Sequence, residues 1–286
     1  MSIDVLRYTA FSDRPSGGNP AGIVIEPGEL DEASMLGIAA NVGYSETAFL
    51  WKLDEPGTYR VRYFAPKAEV TFCGHATIAA GVALADHGAR GRMRFRTLSG
   101  EVAVDVERDV EGHGVATLTS VAPSVGEVQD DILAEALAAF RWAPDDLDIR
   151  LPPRTAYAGA HHLLFGLAER GSLAAMDYDF ERLRRLMEAQ GWTTVSALWQ
   201  ESPSVFHARV PFPVGGVVED PATGAAAAAF GAYLRALRLV DPPARVTIHQ
   251  GVDMGRPSRL AVGIDPGHGG IHVSGTAVRL PEDHPL

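Results

Sequence analysis

The chain has one cysteine, Cys73, in 286 residues. A lone cysteine excludes an internal disulfide and any multi-cysteine metal centre, and fits a reducing compartment. Long apolar runs are also missing. The longest, at 76–85 and 224–234, are too short and too rich in alanine and glycine to span a bilayer. Met1 to Arg7 carries an early acid and no apolar core, so no secretory signal is expected there. There is no block of basic residues with interleaved aromatics, and the net charge is −11, which argues against a nucleic-acid partner. Arg90, Arg92, Arg94 and Arg96 alternate at period two and read as a solvated strand face. No phosphate-binding glycine loop follows a strand, and no ligand spacing marks a metal site. His161 and His162, as strand neighbours, point to opposite faces. These absences leave a soluble, cytoplasmic protein without a metal or a nucleotide cofactor as the expectation.

Two matching segments are present instead. Phe72-Cys73-Gly74-His75-Ala76-Thr77 and Glu219-Asp220-Pro221-Ala222-Thr223-Gly224 lie about half the chain length apart. Each follows a strand-like stretch and opens an alanine-rich run that reads as a buried helix, over about 75–86 and 221–237. A duplicated strand–turn–helix unit implies two similar lobes whose helix N-termini face one cleft, a setting for an anion and a proton transfer beside it. At 286 residues, two domains are expected.

Between these segments many short strands are expected. Asp31 caps a helix that Gly43 stops; Pro15 to Pro20 and Ala65 to Glu69 read as a turn and a loop. Pro123 to Glu127 reads as a linker, and helices are expected over 130–140, with Asp130 or Asp131 near its cap, and over 180–190. Residues 157–167 read as one strand-like stretch around Gly159.

Three polar residues are candidates for chemistry. Glu46 sits where a helix has ended and a strand begins, and a buried carboxylate there suits taking and returning a proton. The competing reading is a surface glutamate at a strand start. His75 opens the first buried helix, placed either to hold a carboxylate or relay a proton, or simply to bond local backbone. Asp220 precedes Pro221 and reads as an N-cap with proline at the first helical position. Cys73 reads as a small buried hydrophobe, although a helix N-terminus favours a thiolate.

Taken together, Gly18-Asn19-Pro20-Ala21-Gly22, Ser45-Glu46-Thr47-Ala48-Phe49, Cys73-Gly74-His75-Ala76-Thr77, Glu219-Asp220-Pro221-Ala222-Thr223-Gly224 and Met254-Gly255-Arg256-Pro257-Ser258 occur in that order. The series resembles the PhzF family of phenazine-biosynthesis-like isomerases over nearly the whole chain. The resemblance implies an α+β, diaminopimelate epimerase-like fold. Its two pseudo-symmetric lobes, 1–122 with about 273–286 and 123–272, each wrap a mostly antiparallel sheet or barrel around a central helix, with the site between them. It also implies a homodimer, no cofactor, and isomerisation of trans-2,3-dihydro-3-hydroxyanthranilate or a related small amino-carboxylate.

By that match Glu46 is the acid/base, and His75 and Asp220 hold the substrate's polar groups. Asn19, Gly74, Thr223, Gly224 and Ala225 fall at substrate-binding positions. Ala225 departs from the phenazine enzymes, which carry serine there; the missing hydroxyl bears on which substrate fits. The alternatives are an amino-acid racemase or epimerase using Glu46 and Asp220 as bases, and a non-catalytic binding protein on the same fold. Cys73-Gly74-His75 also resembles proline racemases, whose mechanism needs a second cysteine that this chain lacks.

Overall fold

The computed structural model describes residues 3–281; Met1, Ser2 and residues 282–286 lie outside the described residues. The chain divides into two compact units, Met1–Thr119 with Val273–Leu286, and Ser120–His272.

The first unit runs β1 (Leu6–Ala10), β2 (Asn19–Ile25), α1 (Glu32–Val42), β3 (Glu46–Lys52), β4 (Thr58–Ala65), β5 (Ala68–Val70), α2 (Gly74–Asp86), β6 (Met93–Thr97), β7 (Gly100–Arg108) and β8 (Gly114–Thr119). The second runs β9 (Ser124–Gly126), α3 (Asp130–Phe140), β10 (Arg154–Tyr157), β11 (His161–Gly166), α4 (Arg170–Ala174), α5 (Phe180–Gln190), β12 (Thr194–Ser202), β13 (Val205–Arg209), β14 (Pro211–Phe212), β15 (Val217–Glu219), α6 (Gly224–Ala236), β16 (Ala244–Gln250) and β17 (Ser258–Ile264). From Val273 onward, β18 (His272–Arg279) returns to the first unit.

In the first unit the strand order β1-β2-β3-β4-β6-β7-β8-β18 closes on itself, because β18 also pairs with β1. The β2–β3 and β4–β6 pairs are parallel, and β1–β18, β1–β2, β3–β4, β6–β7 and β7–β8 are antiparallel. The closed sheet wraps α2, which packs on β1, β2, β3, β7 and β8 and is buried from Gly74 through Leu84. Alanine or glycine at seven of the thirteen helix positions lets a whole helix fit inside so narrow a barrel. Outside, α1 lays Met35 and Ala39 against Val24, Phe49 and Phe64. Asp31 caps α1 by accepting from the Ser34 N–H, and Gly43 ends it in the left-handed region.

The second unit repeats the plan with an open sheet, β9-β10-β11-β12-β13-β16-β17. Here α6 packs on β9, β10, β11 and β17 and is enclosed in turn. On the sheet's other side α3 and α5 bury Ala136, Phe140, Leu183 and Met187 with Phe165 and Trp192. Their removal from water is the main stabilising term, about 1.5–3 kcal/mol for each large side chain.

Several expected boundaries are corrected. Residues 157–167 are not one strand: Tyr157 ends β10, the chain turns at Gly159 and β11 starts at His161, so that 154–166 form an antiparallel hairpin. The expected linker carries β9, which pairs with β10, and the expected loop at 65–69 folds back as β5 on β4. Asn19 and Pro20 belong to β2 rather than the preceding turn. Asp130 and Asp131 do lie beside the cap of α3, in its first turn directly after Gln129, where acids suit the helix dipole. Of the four arginines, Arg94 and Arg96 lie on β6 and both pair with Glu55. Among the described residues, no helix is long and apolar enough to cross a membrane.

Candidate functional site

In the first unit, three segments bring polar groups to the N-terminus of α2. β3 begins at Glu46, β2 begins at Asn19, and Cys73 occupies the helix N-cap in extended backbone. The Cys73 side chain makes no capping bond, and the first intrahelical bond runs from Thr77 N–H to the Cys73 carbonyl at 3.0 Å. The N–H groups of Gly74, His75 and Ala76 therefore precede the helical ladder, as an anion-binding turn requires. The turn is locked from within: Thr77 Oγ1 donates to the Cys73 carbonyl, which leaves Tyr63 Oη to donate to Thr77 Oγ1, both at 2.7 Å.

His75 is the hub. Asn19 Nδ2 lies 3.1 Å from its Nδ1, and Ser45 Oγ lies 3.3 Å from its Nε2. Because an amide N–H₂ can only donate, Nδ1 accepts and the neutral ring carries its proton on Nε2. That proton faces Ser45 and Glu46, whose Oε2 is 3.3 Å from Nε2. Cys73 Sγ lies 3.4 Å from Nδ1. Burial pushes the His75 pKa down, with Glu46 pulling partly the other way; the net direction is down, so the ring is neutral near pH 7.

Glu46 is itself largely buried, with 13% of its side chain exposed. Its Oε2 receives no hydrogen bond; the approach from His75 satisfies an ion-pair distance without hydrogen-bond geometry. A buried carboxylate oxygen with an unused lone pair beside a neutral histidine is equipped to accept a proton from a bound molecule. Gly18 helps set this geometry. Its φ is +71°, and a Cβ there would stand 2.4 Å from the Ala10 carbonyl, so only glycine allows β2 to start at Asn19 against β1.

In the second unit the corresponding turn is built differently. Asp220 is not the helix cap: α6 begins at Gly224 with Thr223 at the cap position. Asp220 precedes it in a turn, where Thr223 Oγ1 donates to Asp220 Oδ2 at 2.5 Å. Gln250, from β16, donates through Nε2 to the Asp220 carbonyl at 2.7 Å and accepts the Thr223 N–H through Oε1 at 3.2 Å. Gly251, at φ +72°, follows, and a Cβ there would lie 2.8 Å from the Pro221 carbonyl. Upstream, Arg209 grips the buried Glu219 through Nε, at 3.1 Å to each carboxylate oxygen, and Nη2. Ala225 is partly exposed in the first turn of α6 and offers no side-chain polar group.

Glu46, His75, Asn19 and Gly74 thus gather in the first unit, and Asp220, Thr223, Gly224 and Ala225 in the second. Sequence reasoning missed Ser45, Gln250 and the Cys73–His75 contact. Gln250 carried no signal, because its partners lie some thirty positions upstream and nothing in a strand's periodicity marks a residue that reaches back to a turn. Two grooves on the first unit's surface, of about 760 Å³ around Trp51 and Arg60 and about 460 Å³ around Arg62 and Leu98, include neither Glu46 nor His75.

Residues 8–282 match the phenazine biosynthesis-like protein (PhzC-PhzF) family. A Deinococcus radiodurans protein named as an uncharacterized isomerase is 34% identical, over 90% of this chain and 85% of its own length. The trans-2,3-dihydro-3-hydroxyanthranilate isomerase of Pseudomonas chlororaphis is 28% identical, over 88% of this chain and 86% of its own. The crystal structure of a Bacillus anthracis phenazine biosynthesis protein of the PhzF family superposes with a TM-score of 0.88 at 25% identity, covering 98% of both chains.

Proposed function

The chain belongs to the phenazine biosynthesis-like protein family, and we propose that it is an isomerase that moves a proton between carbons of a small amino-carboxylate. The observation that carries this reading is the Glu46 carboxylate: buried, with Oε2 unbonded, 3.3 Å from a neutral His75. In the proposed reaction Glu46 takes a proton from a carbon activated by the substrate's carboxylate and returns it to another carbon of the same π-system. His75 presents Nε2–H to a substrate oxygen or nitrogen and holds one tautomer. The N–H groups at the start of α2 receive the carboxylate and the charge that develops on it, a preorganised donor set of the kind that supplies the largest catalytic term in many enzymes.

Asp220 takes a holding role in this proposal. Its carboxylate is already engaged by Thr223, which suits fixing a substrate amine or hydroxyl better than cycling a proton. The proposed reaction needs only the protein's own groups. The substrate is trans-2,3-dihydro-3-hydroxyanthranilate, named for the Pseudomonas chlororaphis relative, or a compound close to it; Ala225, without a hydroxyl, supports the related compound.

Proton NMR with dihydro-hydroxyanthranilate and a panel of cyclic and linear amino acids tests the reading. Rearrangement of one of them, with the product hydrogen appearing at a new carbon, is expected. Saturable binding without any change at carbon, across the panel, would count against an isomerase.

A further inference from the structure

Gln250 ends β16 opposite Ser258 of β17 and is buried, at 2% exposure. The proposed reaction does not use it, yet both polar atoms of its amide are engaged on the turn that precedes α6. Nε2 donates to the Asp220 carbonyl at 2.7 Å and to Thr223 Oγ1 at 3.0 Å, and Oε1 accepts the Thr223 N–H at 3.2 Å. Two of these partners fix which way the amide faces, because a backbone carbonyl only accepts and a backbone N–H only donates. Turned over, the amide would set oxygen against oxygen and N–H against N–H. The amide in turn sets the hydroxyl. Thr223 Oγ1 accepts from Nε2, so its single proton goes to Asp220 Oδ2, 2.5 Å away. The chain from Gln250 through Thr223 to Asp220 therefore runs in one direction, and Oδ2 at its end is an acceptor without a proton of its own.

We propose that Gln250 is a positioning residue that acts through Thr223 to hold Asp220 as an ionised acceptor, and that the turn thereby selects a substrate carrying a protonated amine. An ammonium group is the donor that a fixed carboxylate holds best, since charge-assisted hydrogen bonds are roughly twice as strong as neutral ones. A hydroxyl at the same place makes a weaker bond, and a bare carbon makes none. Without the Nε2 donor, the Thr223 hydroxyl is free to turn away, and the Asp220 carboxylate loses the contact that orients it. This role for Gln250 rests on Asp220 being the group that holds the proposed substrate.

The test uses the full-length protein and two saturated probes, trans-2-aminocyclohexanecarboxylate and trans-2-hydroxycyclohexanecarboxylate. They share a ring and a carboxylate and differ in the donor, and neither has the π-system that turnover needs. By calorimetry near neutral pH, the wild type should bind the amine on the order of tenfold more tightly than the alcohol. Gln250→Met and Thr223→Val should bring the two affinities within about twofold of each other, while circular dichroism reports a retained fold. Thr223→Ser keeps the hydroxyl and should preserve the preference. A glutamine with a purely structural role would lower both affinities together and leave their ratio unchanged. Equal binding of the two probes by the wild type, binding of neither, a preference that survives Gln250→Met or Thr223→Val, or one that is lost in Thr223→Ser would overturn the proposal. The ratio is read without turnover, so failure of the isomerase reading shows separately, in the product NMR.

Discussion

The two helix N-termini differ in how their carboxylates are held. At α2 the Glu46 Oε2 is buried without a hydrogen bond, beside a histidine that burial keeps neutral. At α6 the Asp220 carboxylate takes the Thr223 hydroxyl, and its backbone is tied to Gln250. One unit leaves a carboxylate oxygen without a hydrogen bond, and the other fixes its carboxylate with one. The same chain plan, a strand followed by a polar turn and an alanine-rich helix, therefore presents two differently held carboxylates, to which the proposed reaction gives different roles.

The sharpest break of this comparison is at Glu46. Glu46→Gln keeps shape and polarity and should lower turnover by about 10³-fold with an unchanged melting temperature, measured by product NMR and calorimetry. Next, Glu219→Ala would leave the buried Arg209 guanidinium unpaired and should destabilise the protein by about 3 kcal/mol, read from urea denaturation. Asp220→Asn still accepts from Thr223 through Oδ1. If Asp220 only holds substrate, turnover should fall by roughly 10- to 100-fold, a smaller loss than at Glu46. Equal losses at the two positions would erase the distinction between them.

Buried histidines sharpen the same contrast. His162 is buried, bonds Thr194 Oγ1 through Nδ1 at 2.8 Å, and has its pKa pushed down by burial to about 3. His75 is lowered too, but against the pull of Glu46. A histidine whose folded pKa is depressed binds its proton more readily when unfolded, so its contribution is intact above about pH 6.5 and is lost as pH falls toward 3. For His162 that amounts to about 2 kcal/mol at pH 5. His162→Gln should flatten the acid limb of the stability profile and leave turnover near wild type, whereas His75→Gln should lose turnover. Stability and turnover measured from pH 5 to 8 check both.

Much of this plan was legible in the chain. Asp31 and Gly43 bracket α1 because capping chemistry is local, and the helices at 130–140 and 180–190 announce themselves by periodicity. The hairpin at Gly159 was not legible, since a three-residue turn inside an apolar stretch leaves the pattern of one longer strand. Asp220 misled for a related reason: Asp-Pro is a sound helix start on its own, and only the Gln250 side chain, from β16, shows that the turn is held open and the helix begins later at Gly224. Residues such as Glu46, His75 and Asn19 stood out through their motifs. Their convergence, and the addition of Cys73 and Ser45 to the same ring, depends on which strands of the barrel pair, and no single segment encodes that.

The central claim is that Glu46 carries the migrating proton. Its most direct test is substrate turnover in deuterium oxide, followed by NMR at each carbon, for the wild type and Glu46→Gln. The account predicts that the wild type forms product whose new C–H comes from the donor carbon or, as the Glu46 proton exchanges, from solvent deuterium, and that Glu46→Gln forms no product and takes up no deuterium while still binding substrate. Deuterium entering Glu46→Gln at the wild-type rate would contradict it.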